Sequence, residues 1–471
     1  MNPSLQKENP WLVLWDEFTE FLSEHKGAIL GIIFVALLAY GFELTHFTLG
    51  SDEEIEYAYN HYGIGMVGFG RFLNAFIDEY LHTRGTYMPY IDTFVAVAFL
   101  VMAALVFLFA FWQMTRKISA WQMILFAGGF LTIPFFGAAT ISIAGYNMIT
   151  NLGVLLMVVA LCITNQWLLT RRKSFGVVAV LLLGVTEGIY QSLITVYITG
   201  VILCVLLRAT QESVLNFKQK AQDIGQYVLV AIAGMVVYFG INFICQKLIF
   251  PSNGYNDALI GWGTAPFLTI LKNTLSYIWF LLTLDKNFGG IPALYSVVLL
   301  LAVCVWQGVR KRKWYLLLLP ALGIFAAMGP FLLALITGSA AVPIRTVQAL
   351  PILVGFAWFY LIGCLTKPIV LRVAAIVLGA VMIFTQAQAL TRILYGDYVR
   401  YERDVETAAL LDYDIEIACE GDVAKPVVFV GSMEHAQNST IIQMDVLGVS
   451  FFALDGGRNL RIHAFMKNQG Y

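Results

Sequence analysis

Apolar runs of roughly 14–25 residues, most of them about the length a helix needs to span a bilayer core, recur along this chain between short polar connections. Run length and flanking charge predict eleven crossings, at about 28–45, 92–112, 119–137, 147–168, 175–188, 190–207, 224–248, 291–308, 315–336, 346–364 and 370–389. The segment 10–25 is too charged to span. Its Trp11, Leu14, Trp15, Phe18, Phe21 and Leu22 recur at helical spacing, which predicts an interfacial helix lying on the membrane. No basic n-region with a small-residue cleavage site precedes the first span, so no cleaved signal peptide is expected.

Sidedness follows from Lys and Arg in the connections. With the N-terminus inside, sixteen basic residues fall in inside segments and six in outside loops. A full crossing by the run at 267–283 would put the cluster RKRK at 310–313 outside, so this run is read as dipping into or lying on the outer face. Glu187 and Gly188 leave almost no loop between the fifth and sixth spans. Three parts result: a cytoplasmic interfacial helix (1–27), a transmembrane unit (28–391) with a long polar outside loop (46–91), and an extracytoplasmic tail (392–471). In the tail, residues 397–420 read as a charged helix and PVVFVG (426–431) as a short buried strand. The expected fold class is mainly α, a polytopic helical bundle with a small α+β C-terminal domain.

Composition narrows the function. Only 13% of residues are charged and 59% are hydrophobic, against roughly 25% charged in soluble chains. That excludes a soluble enzyme. A net charge of −1 gives no field to gather polyanions, so no nucleic-acid partner is expected. The tail, with twelve acidic and seven basic residues, is no polybasic membrane anchor. Six cysteines show no CxxC spacing and read as small packing residues.

The densest chemistry follows the first span. Asp52, Glu53, Glu54 and Glu56 fall within five positions. Such carboxylates can serve as a general base or bind a divalent cation. They equally fit a helix start, with Ser51 as N-cap and Glu54 reaching back in a capping box. The run GIGMVGFGR (63–71) lacks the strand context of a dinucleotide site and reads as close packing against membrane helices. His46, His61 and His82 share this loop at spacings that match no zinc pattern, so a divalent metal is conceivable but unsupported and no cofactor is expected.

SDEE (51–54), YAYNHYG (57–63), GFGRFL (68–73), GIYQS (188–192), VPIRTVQALPILVG (342–355), LYGDYVRYERDVETA (394–408) and KPVVFVG (425–431) occur in order over most of the chain. Together they resemble the bacterial and phage-type O-antigen-modifying glucosyltransferases. The resemblance implies a GT-C-type membrane enzyme that takes a sugar, glucose in this family, from a polyprenyl-phosphate donor on the outer face of the cytoplasmic membrane. A cell-surface glycan would be the acceptor. Acidic residues of the family map onto Asp52 and Glu53, the latter where Asp is the expected residue. Asp52 is then the general base of an inverting transfer, with Glu53 orienting the acceptor or sharing that role.

A departing lipid phosphate needs cationic compensation near the outer interface. Arg345 is the first candidate, followed by Arg71 and Lys286. Glu187, Tyr190 and Gln191 lie in or beside an apolar hairpin, where a carboxylate is costly; they fit sugar or acceptor recognition, or an interfacial loop. The competing class is a transporter or flippase of a lipid-linked sugar, against which stands the lack of visible internal repeats.

Overall fold

Inside a bilayer core each backbone amide must find its partner within the protein, so long apolar runs fold as helices. The computed structural model describes residues 9–59, 63–80, 90–142, 147–211, 217–284, 288–312, 314–339, 342–365, 367, 369–422, 425–436 and 438–471. Helices run in the order α1 (Pro10–Glu24), α2 (Lys26–Tyr40), α3 (Glu53–Tyr59), α4 (Phe72–Tyr80), α5 (Ile91–Thr115), α6 (Ala120–Leu131), α7 (Pro134–Ser142), α8 (Asn147–Thr170) and α9 (Lys173–Thr186). They continue with α10 (Ile194–Gln211), α11 (Phe217–Leu248), α12 (Tyr255–Ala258), α13 (Phe267–Leu282), α14 (Gly290–Lys311), α15 (Tyr315–Met328), α16 (Leu332–Thr337), α17 (Leu350–Cys364), α18 (Ile369–Cys419) and α19 (Asn459–Asn468).

Among the described residues seven helical stretches are long and apolar enough to cross a membrane, or nine if each of two bent pairs counts as one crossing. These pairs are α1–α2, bent by 78°, and α6–α7, bent by 68°. Eleven crossings were expected. The difference lies in α9 and α17, of 14 and 15 residues. At ~1.5 Å per residue they are about 21 and 22 Å long, short of a core of roughly 30 Å. α13, with 16 residues, is short in the same way.

The first bend sets α1 against the bundle. Trp11 packs on Phe175 with ring centroids 4.5 Å apart, and Phe18 on Phe109 at 5.1 Å. Glu17 accepts from Arg116 at 3.0 Å and from Gln166 at 2.9 Å. Nearby, Asp223 joins Arg171 at 2.8 Å to Arg208 at 2.7 Å, tying the ends of α8 and α10 to the start of α11.

The bundle core is aromatic. Phe111 meets Phe126, Phe356 and Phe359 at centroid distances of 5.2–5.3 Å. α6 and α17 approach so closely that a Cβ on Gly129 would lie 2.7 Å from the Cα of Gly355. Without a hydrophobic drive between helices in lipid, such small-residue contact is what lets dispersion hold them together.

The tail departs from the α+β expectation. The last predicted span and the charged helix beyond it form one continuous α18 of 51 residues. Residues 426–431 have no regular secondary structure, and 440–453 hold only an isolated bridge between Met444 and Leu447. Val428 and Val430 are 71% and 96% exposed, so this is not a buried strand. A side chain replaces the missing strand partner: Asn459 accepts from the Phe429 amide and donates to the Phe429 carbonyl, both at 2.8 Å. The tail packs through Phe451, Phe452 and Phe465 onto Tyr401 of α18 and onto Leu49, next to the first polar loop's acidic run. Loop and tail therefore share one side of the bundle, as the charge pattern predicts.

Candidate active site

Helix α3 opens at the acidic run. The Asp52 carbonyl accepts from the Glu56 amide at 3.2 Å, starting the helix. Asp52 has a left-handed backbone, φ +78°, a conformation Asp tolerates better than most residues with a Cβ. The expected capping box forms differently. Glu53, not Glu54, reaches back, its Oε2 accepting from the Gly50 amide at 2.7 Å. Ser51 Oγ has no partner among the described residues.

Glu54 is taken by a residue from the far end of the chain. Arg461 of α19 inserts its guanidinium among three carboxylates. Nη2 donates to Asp52 Oδ1 at 2.7 Å, Nε to Asp455 Oδ2 at 2.6 Å, and Nη1 to Glu54 Oε1. The planar fork suits this sharing, which a lysine could not reproduce. Arg461 engages Asp52 through Oδ1, leaving Oδ2 outside the pair, and the buried Glu54 Oε2 has no partner among the described residues. Burial pushes the Glu54 carboxyl up to about 7, against the Arg461 charge that pulls it down. Burial also pushes Glu53 up to about 8, opposed by the Gly50 hydrogen bond and aided by the charges of Asp92, Glu54 and Asp397.

Asp52 borders a cavity of about 260 Å³. Arg71, Tyr190 and Arg345 line the same cavity. Together with Asp52 they come from three distant stretches of chain. The Arg71 guanidinium lies 4.5 Å from the centroid of the Tyr190 ring, while its Nε has no partner among the described residues. Arg345 sits on a single 3₁₀ turn, Ile344–Thr346, and contacts Asp445 of the tail at 3.4 Å. Burial works against the Arg345 charge, but Tyr190, Asp445 and Asp52 outweigh it, so its pKa moves up.

Other predicted residues stand away from the cavity wall. Glu53 is turned to the Gly50 amide. Glu187 caps α9 and is buried, with Oε1 unpartnered among the described residues. Gln191 donates to the Phe69 carbonyl at 2.6 Å and to Tyr238 Oη at 3.0 Å. It holds the glycine-rich segment, whose Gly70 (φ +76°) has no room for a side chain beside Tyr238. That fits the packing role expected for 63–71. Lys286, His61 and His82 lie outside the described residues. His46 stacks on Phe42, ring centroids 4.1 Å apart. No group of three or more His, Cys, Asp or Glu side chains among the described residues is arranged to hold a metal ion.

Sequence reasoning missed Arg461, 409 positions from Asp52, for which no local signal exists. It also missed Asn74 and Asn151 on the cavity wall. Asn151 carried a signal, a polar side chain within an apolar run. A second buried cluster lies beside the site. Arg400 donates to Asp397 Oδ2 at 2.8 Å, to Asp404 at 3.4 Å and to the Leu49 carbonyl at 3.0 Å. Asp397 also accepts from the Gly448 amide, and Asp404 from Ser450, His435 and the Phe451 amide.

The profile of a protein family described as glucosyl transferase GtrII matches residues 41–362. The match takes in Asp52, Arg71, Tyr190 and Arg345 and ends before Arg400 and Arg461. No curated protein matches the chain.

Proposed function

The chain belongs to the glucosyl transferase GtrII family, and on that premise we propose that it moves glucose from a polyprenyl-phosphate donor to a cell-surface glycan. The reaction takes place on the outer face of a bacterial cytoplasmic membrane, with the N-terminus inside and the C-terminal tail outside. One observation carries this reading: Asp52, Arg71, Tyr190 and Arg345, remote in sequence, line a single cavity.

The chemistry follows from these side chains. An acceptor hydroxyl oxygen attacks the anomeric carbon while the bond from that carbon to the phosphate oxygen breaks. Asp52 Oδ2, the oxygen not held by Arg461, takes the hydroxyl proton. Arg345 and Arg71 compensate the charge gathering on the departing lipid phosphate. Asp445 at 3.4 Å is a loose partner for Arg345 and yields to a phosphate dianion. A single displacement inverts the anomeric configuration. Protonated by burial at neutral pH, Glu53 shapes the loop beneath Asp52 and does not act as a second base.

Transfer of radiolabelled glucose from polyprenyl-phosphate-glucose to endogenous glycan tests the reading, in membranes with wild type or Asp52→Ala at equal protein levels. Transfer by wild type alone is the expected result. Equal transfer by both removes Asp52 from the mechanism, and no transfer by either removes this donor. Arg345→Gln should abolish turnover in a protein that still folds; normal turnover would end its assignment to the phosphate.

A further inference from the structure

The cavity has two chemically different parts. Its charged residues are partly open: the Asp52 and Arg345 side chains are 26% and 31% exposed. Two of its neutral polar residues are buried, Asn74 and Asn151, at 3% and 0% exposed. Both asparagines keep an amide oxygen with no hydrogen-bond partner among the described residues. A buried acceptor left without its hydrogen bond is costly, so two on one cavity wall mark a place where donors are to arrive.

Local contacts fix the backbone of Asn74 and the side chain of Asn151. The Asn74 amide donates to the Gly188 carbonyl at 3.2 Å, which fixes the start of α4 against the break after α9. Gly188 itself faces the Phe72 ring with no room for a Cβ. Asn151 Nδ2 donates to the Thr140 carbonyl at 3.3 Å, so its orientation is set by α7. Each oxygen without a partner is buried in the wall, so a donor reaches it only as the amide turns toward the cavity; for Asn151 that turn trades the 3.3 Å contact with Thr140 for one to the ligand.

We infer that Asn74 and Asn151 form the subsite for the transferred sugar, and that this subsite takes a neutral hexosyl group and rejects a uronic acid. The inference rests on the transfer reading above for the identity of the donor. Sugar hydroxyls are donors and satisfy both orphaned acceptors. A carboxylate has no proton to give them and meets two carbonyl dipoles of the wrong sign. Leu100, Phe130, Phe136 and Val154 add apolar wall for the C–H faces of a sugar ring. At about 260 Å³ the space is just below pockets for drug-sized ligands, roughly 300–1,000 Å³, and suits one sugar unit better than a lipid chain or a glycan. The charged, more open part then receives the phosphate and the acceptor.

The test is binding, measured on the full-length protein in lipid nanodiscs with three probes: polyprenyl-phosphate-glucose, polyprenyl-phosphate-glucuronate and sugar-free polyprenyl phosphate. Wild type should bind the glucosyl probe best and the other two alike. Asn151→Leu and Asn74→Leu, each checked for an unchanged melting temperature, should each lose up to about tenfold in affinity for the glucosyl probe. Neither should change its affinity for sugar-free polyprenyl phosphate. Because Asn74 lies on an outside helix, its variant remains informative if Asn151→Leu does not fold. Equal loss for all three probes, or no loss for any, overturns the subsite and leaves the transfer reading intact. Wild type binding the glucosyl and sugar-free probes equally also overturns it. A sugar preference that needs both asparagines, in a protein that transfers no glucose, upholds the subsite and overturns the transfer.

Discussion

Two arginines bind carboxylates where the tail meets the first polar loop, and they do so to different ends. Arg400 is sealed: it is 3% exposed, and its partners Asp397 and Asp404 have further oxygen contacts to backbone amides, Ser450 and His435. The Arg400 guanidinium also lies 4.7 Å from the centroid of the Phe451 ring. Arg461 is unfinished. It holds Asp52 and Glu54 by one oxygen each, and the second oxygen of Glu54 has no partner among the described residues. A satisfied buried cluster fixes one arrangement of chain, whereas a partly satisfied one is costly and persists where something else uses the open atoms. The first cluster therefore reads as the clasp that docks the tail, and the second, on the proposed mechanism, as the mount for the base.

That distinction predicts a double dissociation. Asp52→Asn should lower transfer by roughly 10²–10⁴-fold, the usual range for a lost general base, with the melting temperature unchanged. Arg400→Met leaves Asp397 and Asp404 buried without their cation and should cost about 3–5 kcal/mol of stability. Turnover per folded molecule should stay near wild type. A variant of Arg400 that melts normally but cannot transfer would erase the contrast between the clusters.

A smaller effect is expected at Arg461 itself. Arg461→Lys keeps the charge but offers a point in place of a fork, so Asp52 and Glu54 can no longer be held together. Turnover should fall about tenfold in kcat with KM little changed, since the fork positions the base and touches no substrate; a tenfold change is about 1.4 kcal/mol. A rise in KM alone would make Arg461 part of a binding surface instead.

A pH-dependent effect tests the residue between the clusters. Glu53 senses both Glu54 and Asp397, and burial raises its pKa from 4.5 to about 8. The folded state thus holds this proton more tightly than the unfolded chain. Its stabilising contribution is complete below about pH 4.5 and is lost as pH rises through about 8. Glu53→Gln, always neutral, should flatten the fall in melting temperature over that window. An unchanged slope would show that Glu53 is ionised in the folded protein.

Much of this was legible in the chain. The apolar runs place the helices, because lipid leaves a backbone no other way to satisfy its amides. The acidic run after the first span, with Arg71, Tyr190 and Arg345, marked the residues that share the cavity. Legibility failed where a partner lies far along the chain. Glu54 fits a local capping box on spacing, but Arg461 overrides it with a charged contact from α19. PVVFVG fits a buried strand, yet Asn459 supplies both hydrogen bonds a neighbouring strand would have given Phe429. Crossing length was overstated at α17, since the run 346–364 reads as one span but the helix begins only at Leu350.

The sequence by itself thus determined a helical membrane protein and supplied the charged residues that line its cavity. Those properties follow from local hydropathy and charge, which need no knowledge of the fold. Only the tertiary structure decided which carboxylate oxygen is free, which arginine holds it, and which asparagines are left without donors. Each of these depends on a contact between segments tens to hundreds of residues apart, where chain order carries no physical information about proximity.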